Sequence, residues 1–160
     1  MTFRPAHAII AAAALAIAAP LPVLAQSRIA IGIQQEPTSL DPTSDATAAI
    51  NTMLTQNVYE GLTSVDQSGA VIPQLAESWT ISDDGLTYVF NLVQGVSFHD
   101  GAPFTANDVV FSFNRARAEG STSSRGATFR PIDTITALDD HTVEIVMKNP
   151  DAFFLFDLAQ

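Results

Sequence analysis

The chain of 160 residues contains no cysteine. Disulfide bonds, thiolate metal sites and a lipid anchor on an N-terminal cysteine are therefore excluded. Basic residues are also few, with 7 lysines and arginines against 17 acidic residues and a formal net charge of -10. This excess of negative charge disfavours nucleic acids and anionic membranes as partners. Stability must come from a hydrophobic core, for which an apolar content of 47% is sufficient.

The motifs of common enzymes and metal sites are absent as well. The sequence has no G-x-S-x-G nucleophile elbow, no H-E-x-x-H zinc motif and no calcium loop of the D-x-[DN]-x-[DN]-G type. His99 and His141 both lie beside aspartates in segments typical of turns, where a structural role is expected. Carboxylate pairs of the glycosidase kind have no sequence signature and stay open. We predict no catalytic residue, no metal ligand and no cofactor.

The first 25 residues have the layout of a secretory signal peptide. Arg4 precedes an unbroken apolar run over residues 8–19, and Val23-Leu24-Ala25 resembles a small-residue cleavage site. The run of 12 residues is too short for a membrane-spanning helix, which needs roughly 20. Because a twin-arginine pair is missing, the ordinary secretory path is expected. The mature chain should begin at Gln26.

The next segment contains a predicted strand, a loop and a helix. Isoleucines alternate along residues 28–33, which is typical of a strand with one buried face. The prolines of residues 34–42 then require a loop, and loops that leave a strand often carry function. Apolar residues at spacings of three and four over residues 43–59, followed by Gly61, predict an amphipathic helix.

Alternating apolar residues further along the chain predict β-hairpins. Residues 62–65 and 71–72 form the first pair, and residues 79–81 and 86–92 flank a turn of the sequence Asp83-Asp84-Gly85. Another hairpin is predicted over residues 132–147, around a second aspartate turn. The packed face of this sheet is expected to include four aromatic residues, Trp79, Tyr88, Phe90 and Phe98.

Two further helices are predicted in the second half of the chain. Thr105 and Asp108 resemble a capping box that begins the first of these helices. Residues 121–130 are small and polar, which is typical of a loop. The second helix begins at Pro150 and is still apolar at Gln160, without a cap. We therefore expect the sequence to be the first part of a longer protein.

Five motifs occur in a defined order along the chain. Residues 73–79 read PQLAESW, residues 82–90 read SDDGLTYVF and residues 95–110 read GVSFHDGAPFTANDVV. They are preceded by TSLDP at residues 38–42 and NVYEGL at residues 57–62. Together these motifs resemble the signature of extracellular solute-binding protein family 5, the dipeptide- and oligopeptide-binding proteins of ABC importers.

The resemblance implies an α/β fold of the periplasmic-binding-protein type, in which two lobes close over a ligand and one lobe carries an extra subdomain. Only the N-terminal part of the first lobe would be present. Residues 26–61 would be the start of that lobe, and residues 62–160 its truncated, inserted α+β subdomain. Because the opposite lobe would be missing, the segment alone is expected to show no measurable ligand affinity.

The loop after the first strand is where the resemblance places ligand contacts. In peptide-binding relatives this loop lies along the cleft, and the acid of its E-x-x-S-L-D-P pattern, which lies near the bound peptide backbone, corresponds to Glu36. Gln35, Thr38 and Ser39 are further polar candidates for such contacts. A purely local role for these side chains, in satisfying the backbone of a surface loop, is the alternative.

The segment of residues 121–130 departs from the pattern of peptide-binding relatives. Those relatives have a longer, aromatic-containing segment that reaches the ligand, whereas here Arg125 and Phe129 are the candidates for contact. The family also includes importers of nickel complexes, haem, opines and sugars. The class of solute therefore stays open, with peptides or peptide-like solutes as the leading prediction.

The function implied by the resemblance is that of a periplasmic solute-binding protein. It would capture a small solute and deliver it to a membrane permease that cytoplasmic ATPases drive. Such a protein would be a soluble monomer and neither an enzyme nor a lipoprotein. Two alternatives are an exported hydrolase with catalytic residues beyond Gln160 and, less favoured, a periplasmic chaperone that selects unfolded chains.

Overall fold

The computed structural model describes residues 30, 32, 36, 39–44, 47–55 and 57–159. The chain divides into a unit of residues 1–32 and a unit of residues 33–160. The predicted signal peptide lies outside the described residues, and so does most of the strand predicted over residues 28–33. Within that strand, Ala30 and Gly32 are described, and both are exposed and have no regular secondary structure.

The helix predicted over residues 43–59 is shorter in the structure. Helix α1 covers Ala48–Ile50 and continues as a π-helix over Asn51–Thr55. The predicted start at residue 43 is wrong because the carboxylate of Asp41 accepts a hydrogen bond of 2.9 Å from the backbone N–H of Thr43. Such local bonds hold the backbone in a turn and compete with helix formation.

The first predicted hairpin is confirmed. Strand β1, Thr63–Val65, pairs antiparallel with strand β2, Val71–Pro73. Between them the carboxylate of Asp66 accepts hydrogen bonds from the backbone N–H groups of Ser68 at 2.8 Å and Ala70 at 3.0 Å. Aspartate therefore closes this turn as its sequence position predicts.

The remaining strands form one antiparallel sheet of four strands in the order β3-β4-β6-β5. Its strands are β3 (Ala76–Ile81), β4 (Thr87–Leu92), β5 (Ile132–Asp139) and β6 (Thr142–Met147). The hairpins β3-β4 and β5-β6 are those predicted from the alternation of apolar residues. His141 lies in the turn between β5 and β6, as predicted.

One face of this sheet forms the hydrophobic core. Alternate residues of β4 and β6 are buried, and Phe90 pairs with Val143 across the two strands. Both of these side chains are fully buried, and burial of one such side chain contributes about 1.5–3 kcal/mol to stability. The aromatic face was predicted only in part, because Trp79 is partly buried and Phe98 is 47% exposed.

Helix α2, Ala106–Arg117, covers the core beside the sheet. Thr105 and Asp108 form the predicted capping box, in which the backbone N–H of Thr105 donates to Oδ2 of Asp108 at 2.8 Å. At the other end, Nη1 of Arg117 donates to the carbonyl oxygen of Ile132 at 2.8 Å. This bond ties the C-terminal end of the helix to the start of β5.

Two short helices complete the described part of the chain. Helix α3, Gly126–Phe129, lies within the segment predicted to be a loop over residues 121–130. Helix α4, Phe154–Asp157, begins after the predicted start at Pro150 because Oδ1 of Asp151 accepts a hydrogen bond of 2.9 Å from the N–H of Phe153. None of the helices in the described residues is long and apolar enough to cross a bilayer.

Candidate ligand-binding groove

A groove of about 940 Å³ runs along one side of α2. Besides α2, its lining comes mainly from four segments that are well separated in sequence, within residues 41–43, 57–62, 96–99 and 121–129. Single residues elsewhere complete it, namely Thr55, Gln74, Leu75, Phe104 and Leu158. The NVYEGL motif supplies the second of these segments. The groove is therefore made by the tertiary fold, and both loops predicted to meet a ligand lie at or next to it.

The turn after the predicted ligand loop is organised by Asp41. Its Oδ1 accepts hydrogen bonds from the backbone N–H of Thr43 at 2.9 Å and from the Thr43 hydroxyl at 2.6 Å. The bond from the Thr43 hydroxyl is the largest cause that lowers the pKa of Asp41, and the positive charge of Arg115 lowers it further. Asp41 is thus an ionised group at the edge of the groove at neutral pH.

A backbone hydrogen bond joins this turn to the second predicted site segment. The N–H of Ser124 donates to the carbonyl oxygen of Thr43 at 3.1 Å. Ser124 directly precedes Arg125 in the chain. The structure therefore brings the end of the 34–42 loop together with the 121–130 segment.

Gly61 closes one wall of the groove. Its N–H donates to Oε1 of Gln74 at 3.0 Å. A Cβ atom at this position would lie 3.0 Å from the carbonyl oxygen of Thr63 and 3.1 Å from that of Leu158. Because both neighbours are backbone atoms, glycine is required by this close approach. The sequence suggested Gly61 only as the end of a helix.

Arg125 is the partly buried cation of the groove. Its Nη1 donates to the carbonyl oxygen of Asp157 at 3.5 Å, a long hydrogen bond. Burial lowers the pKa of Arg125, and the negative charge of Asp157 opposes that effect. The guanidinium still stays charged, because arginine is not deprotonated in proteins.

Phe129 supplies an apolar surface in the same groove. Its ring stacks on that of Phe113 from α2, with ring centroids 4.8 Å apart and an interplanar angle of 19°. Stacked aromatic pairs of this kind contribute about 0.5–1.5 kcal/mol beyond their buried area. The groove therefore combines one apolar surface with charged groups of both signs.

Of the four loop residues predicted to contact a ligand, the two that the structure describes do not line the groove. Glu36 is exposed and Ser39 partly buried, and neither lines it. The hydroxyl of Ser39 accepts a hydrogen bond of 2.9 Å from the N–H of Asp41, which is a local role. Gln35 and Thr38 lie outside the described residues. Ligand contact by these four residues stays a prediction.

Several lining residues were not singled out as site residues from the sequence. Asp41, Tyr59 and Glu60 belong to motifs that carried the family resemblance, but no chemistry was assigned to them. Arg115 lies in the last turn of α2, outside the five motifs. For Asp41, Tyr59 and Glu60, their place in the TSLDP and NVYEGL motifs is the signal that could have indicated them.

The groove offers no metal centre in the part of the chain that is described. No cluster of three or more His, Asp or Glu side chains there could hold a metal ion. His99 lines the groove as a residue of a turn, next to the exposed ring of Phe98. The chemistry of the described lining is that of hydrogen bonding, ion pairing and apolar contact.

Comparison with known proteins places this architecture in a family. Residues 70–160 match the model of the bacterial extracellular solute-binding proteins, family 5 Middle. The glutathione-binding protein GsiB of Pectobacterium atrosepticum is 37% identical over 151 residues. That alignment covers 94% of this chain and 29% of the relative, so the chain spans about three tenths of the relative's length.

Solved structures have the same fold. NikZ from Campylobacter jejuni, in complex with Ni(L-His), matches with a TM-score of 0.71 and 33% identity over 79% of this chain and 25% of that protein. The ABC transporter-associated periplasmic binding protein DppA from Helicobacter pylori, in complex with the peptide STSA, matches with a TM-score of 0.67 and 31% identity. That match covers 76% of this chain and 27% of DppA.

These matches confirm the α/β fold of periplasmic-binding-protein type, of which this chain spans only part. GsiB and DppA are binding proteins by name. The matches also confirm the resemblance drawn from the five motifs. The chain belongs to family 5 of the bacterial extracellular solute-binding proteins.

Proposed function

We propose that the full-length product of this gene is a periplasmic solute-binding protein of an ABC importer. It captures peptides or peptide-like solutes and delivers them to a membrane permease that is driven by cytoplasmic ATPases. It works as a soluble monomer, after removal of residues 1–25 by signal peptidase. It performs no covalent chemistry on the solute.

The groove beside α2 is the observation that carries this proposal. Arg125 supplies a positive charge, Asp41 and Glu60 supply negative charges, and the stacked rings of Phe113 and Phe129 supply an apolar surface. A peptide carries both kinds of charge and apolar side chains, so this lining suits it. The relatives whose names state glutathione or a bound peptide support the same class of solute.

The groove is open, as one wall of a cleft would be. In the proposed mechanism a second lobe closes over the solute, and the bound solute stabilises the closed state through its higher affinity for that state. The permease then recognises the closed form. An open groove on one lobe alone buries too little of a ligand for tight capture, since small-molecule sites usually bury 70–90% of the ligand.

The solute that copurifies with the protein tests the proposal. The full-length product is expressed in a Gram-negative host, purified from the periplasmic fraction and examined by native and then denaturing mass spectrometry. We expect release of a peptide or peptide-like solute on denaturation, and a mature chain that begins at Gln26. Release of a nickel complex, haem, an opine or a sugar would contradict the proposed class of solute. A protein retained in the cytoplasm would contradict its location.

A further inference from the structure

The guanidinium of Arg125 has unused hydrogen-bonding capacity. Arginine carries five N–H donors in a planar fork. Within the described residues, the acceptor for this group is a single carbonyl oxygen, that of Asp157 at 3.5 Å. The carboxylate of Asp157 acts on Arg125 through its charge, but no carboxylate in the same part of the chain forms a hydrogen bond with the guanidinium. Most of its donors are therefore available to a molecule in the groove.

Arg117 shows how an arginine of the same region is used when its role is structural. Nη1 of Arg117 donates to the carbonyl oxygens of Ile132 at 2.8 Å and Asp133 at 3.1 Å, and Nε donates to Oδ1 of Asn114 at 3.0 Å. These bonds use the Nε and Nη1 groups of the fork. Arg125 lacks such a set, although it is partly buried and pays part of the desolvation cost of a charge.

The surroundings of Arg125 favour an anion of carboxylate size beside an apolar group. Ser121, Thr122 and Ser123, which shortly precede Arg125 in the chain, line the same groove and bring hydroxyl donors. The stacked rings of Phe113 and Phe129 lie in the same lining. A planar fork binds a carboxylate through two parallel hydrogen bonds, which a lysine does not reproduce.

We propose that Arg125 binds the C-terminal carboxylate of the captured solute, so that the solute class is short peptides with a free C-terminus. This inference rests on the proposed function and narrows it. The carboxylate of the solute supplies the acceptors that Arg125 lacks. The side chain of the solute's C-terminal residue contacts the stacked rings of Phe113 and Phe129. Peptides whose C-terminus is blocked are rejected, because the fork then faces a neutral amide.

A thermodynamic cycle on the full-length product tests this inference. The probes are glutathione, alanyl-phenylalanine and alanyl-alanyl-phenylalanine, each as the free acid and as the C-terminal amide, with Kd measured by calorimetry. In the unaltered protein we expect the acid to bind at least about tenfold more tightly than its amide. In Arg125→Gln the acid should lose that advantage, so that acid and amide bind equally.

Two further variants distinguish the effect of the planar guanidinium geometry from the effect of a positive charge alone. Arg125→Lys keeps the positive charge but should recover only part of the preference for the acid. Arg130→Gln removes the same charge from an exposed residue that does not line the groove, and should leave Kd within about twofold.

The outcomes distinguish failure of the inference from failure of the proposed function. A preference for the acid that persists in Arg125→Gln, or equal loss of affinity for acid and amide, overturns the role of Arg125 and leaves peptide capture standing. Equal binding of acid and amide by the unaltered protein also overturns the role of Arg125 and leaves peptide capture standing. If none of the six probes binds, peptide capture itself is overturned and the inference falls with it.

Discussion

The backbone N–H of Ser124 donates a hydrogen bond of 3.1 Å to the carbonyl oxygen of Thr43, and so joins two segments that are far apart in sequence. Thr43 lies in the turn that the carboxylate of Asp41 organises, and Ser124 directly precedes Arg125. The position of Arg125 in the groove therefore depends on the geometry of the turn at Thr43.

Removal of the carboxylate in Asp41→Ala should weaken peptide binding by the full-length product. Without its bonds to Thr43 the turn loses its preferred shape, and the carbonyl that holds Ser124 moves. We expect Kd for the tightest-binding probe peptide to rise about three- to tenfold, the equivalent of one lost hydrogen bond. Calorimetry measures the change.

Asp66→Ala is the matched control for that substitution. Asp66 closes the β1-β2 turn through the same kind of bonds, to Ser68 and Ala70, but does not line the groove. Asp66→Ala should leave Kd unchanged, while the amides of the β1-β2 hairpin become less protected from hydrogen exchange. An equal rise in Kd for both variants would mean that general loosening of the fold, and not the link to Ser124, controls affinity.

Thr105→Ala should destabilise the N-terminal turn of α2. The substitution removes the hydroxyl from the capping box that Thr105 forms with Asp108. Loss of an N-cap side chain costs about 1 kcal/mol. Hydrogen exchange of the first amides of α2 should therefore accelerate about fivefold. Thr105→Ser, which keeps the hydroxyl, should exchange like the unaltered protein. Equal rates in all three proteins would show that the cap is not stabilising.

Tyr88→Phe should lower the free energy of unfolding only slightly, whereas Tyr88→Ala should lower it much more. The Tyr88 hydroxyl donates to the carbonyl oxygen of Asp151 at 3.2 Å, while its ring meets that of Phe154 edge-on at a centroid distance of 4.9 Å. Loss of the hydroxyl alone should lower the free energy of unfolding by about 1 kcal/mol. Loss of the ring should lower it by about 3–5 kcal/mol. Urea denaturation compares the two, and similar costs would contradict this division.

The buried phenol of Tyr88 should also make stability fall at high pH. Burial, and then the negative charge of Asp151, raise the pKa of Tyr88 above its ordinary value of 10.0. The folded state therefore holds this proton more tightly than the unfolded state, so stability decreases as pH rises above about 10. The decrease between pH 8 and about pH 11 should be smaller in Tyr88→Phe than in the unaltered protein. Identical pH profiles would show that the group titrates alike in both states.

The sheet could be predicted from the sequence because its signal is local. Tyr88 and Phe90 alternate with polar or half-exposed positions, and their period of two matches the burial pattern of β4. The same holds for the capping box at Thr105, which needs only residues within one turn of helix. Phe98 was misjudged because its motif fixes a turn, and nothing in the local sequence indicates which side of that turn faces the core.

The groove could be predicted only in part because its lining is assembled by tertiary contacts. Arg125 and Phe129 stood out as chemically distinct residues in a small, polar segment, and both line the groove. Asp41 and Arg115 both line it, and the charge of Arg115 lowers the pKa of Asp41, through a tertiary arrangement that no spacing in the sequence encodes. The late start of the helix predicted from residue 43 has the same origin as the site, since the Asp41 turn precedes the helix and also lines the groove.

Calorimetric titration of the full-length product with the free-acid peptides, followed by chromatography of the recovered peptide, tests the central claim most directly. We predict saturable binding of one peptide per chain, with Kd of roughly micromolar or below, and recovery of the peptide unchanged. Recovery of cleaved peptide would identify a hydrolase. Absence of binding by every peptide would contradict peptide capture as the function.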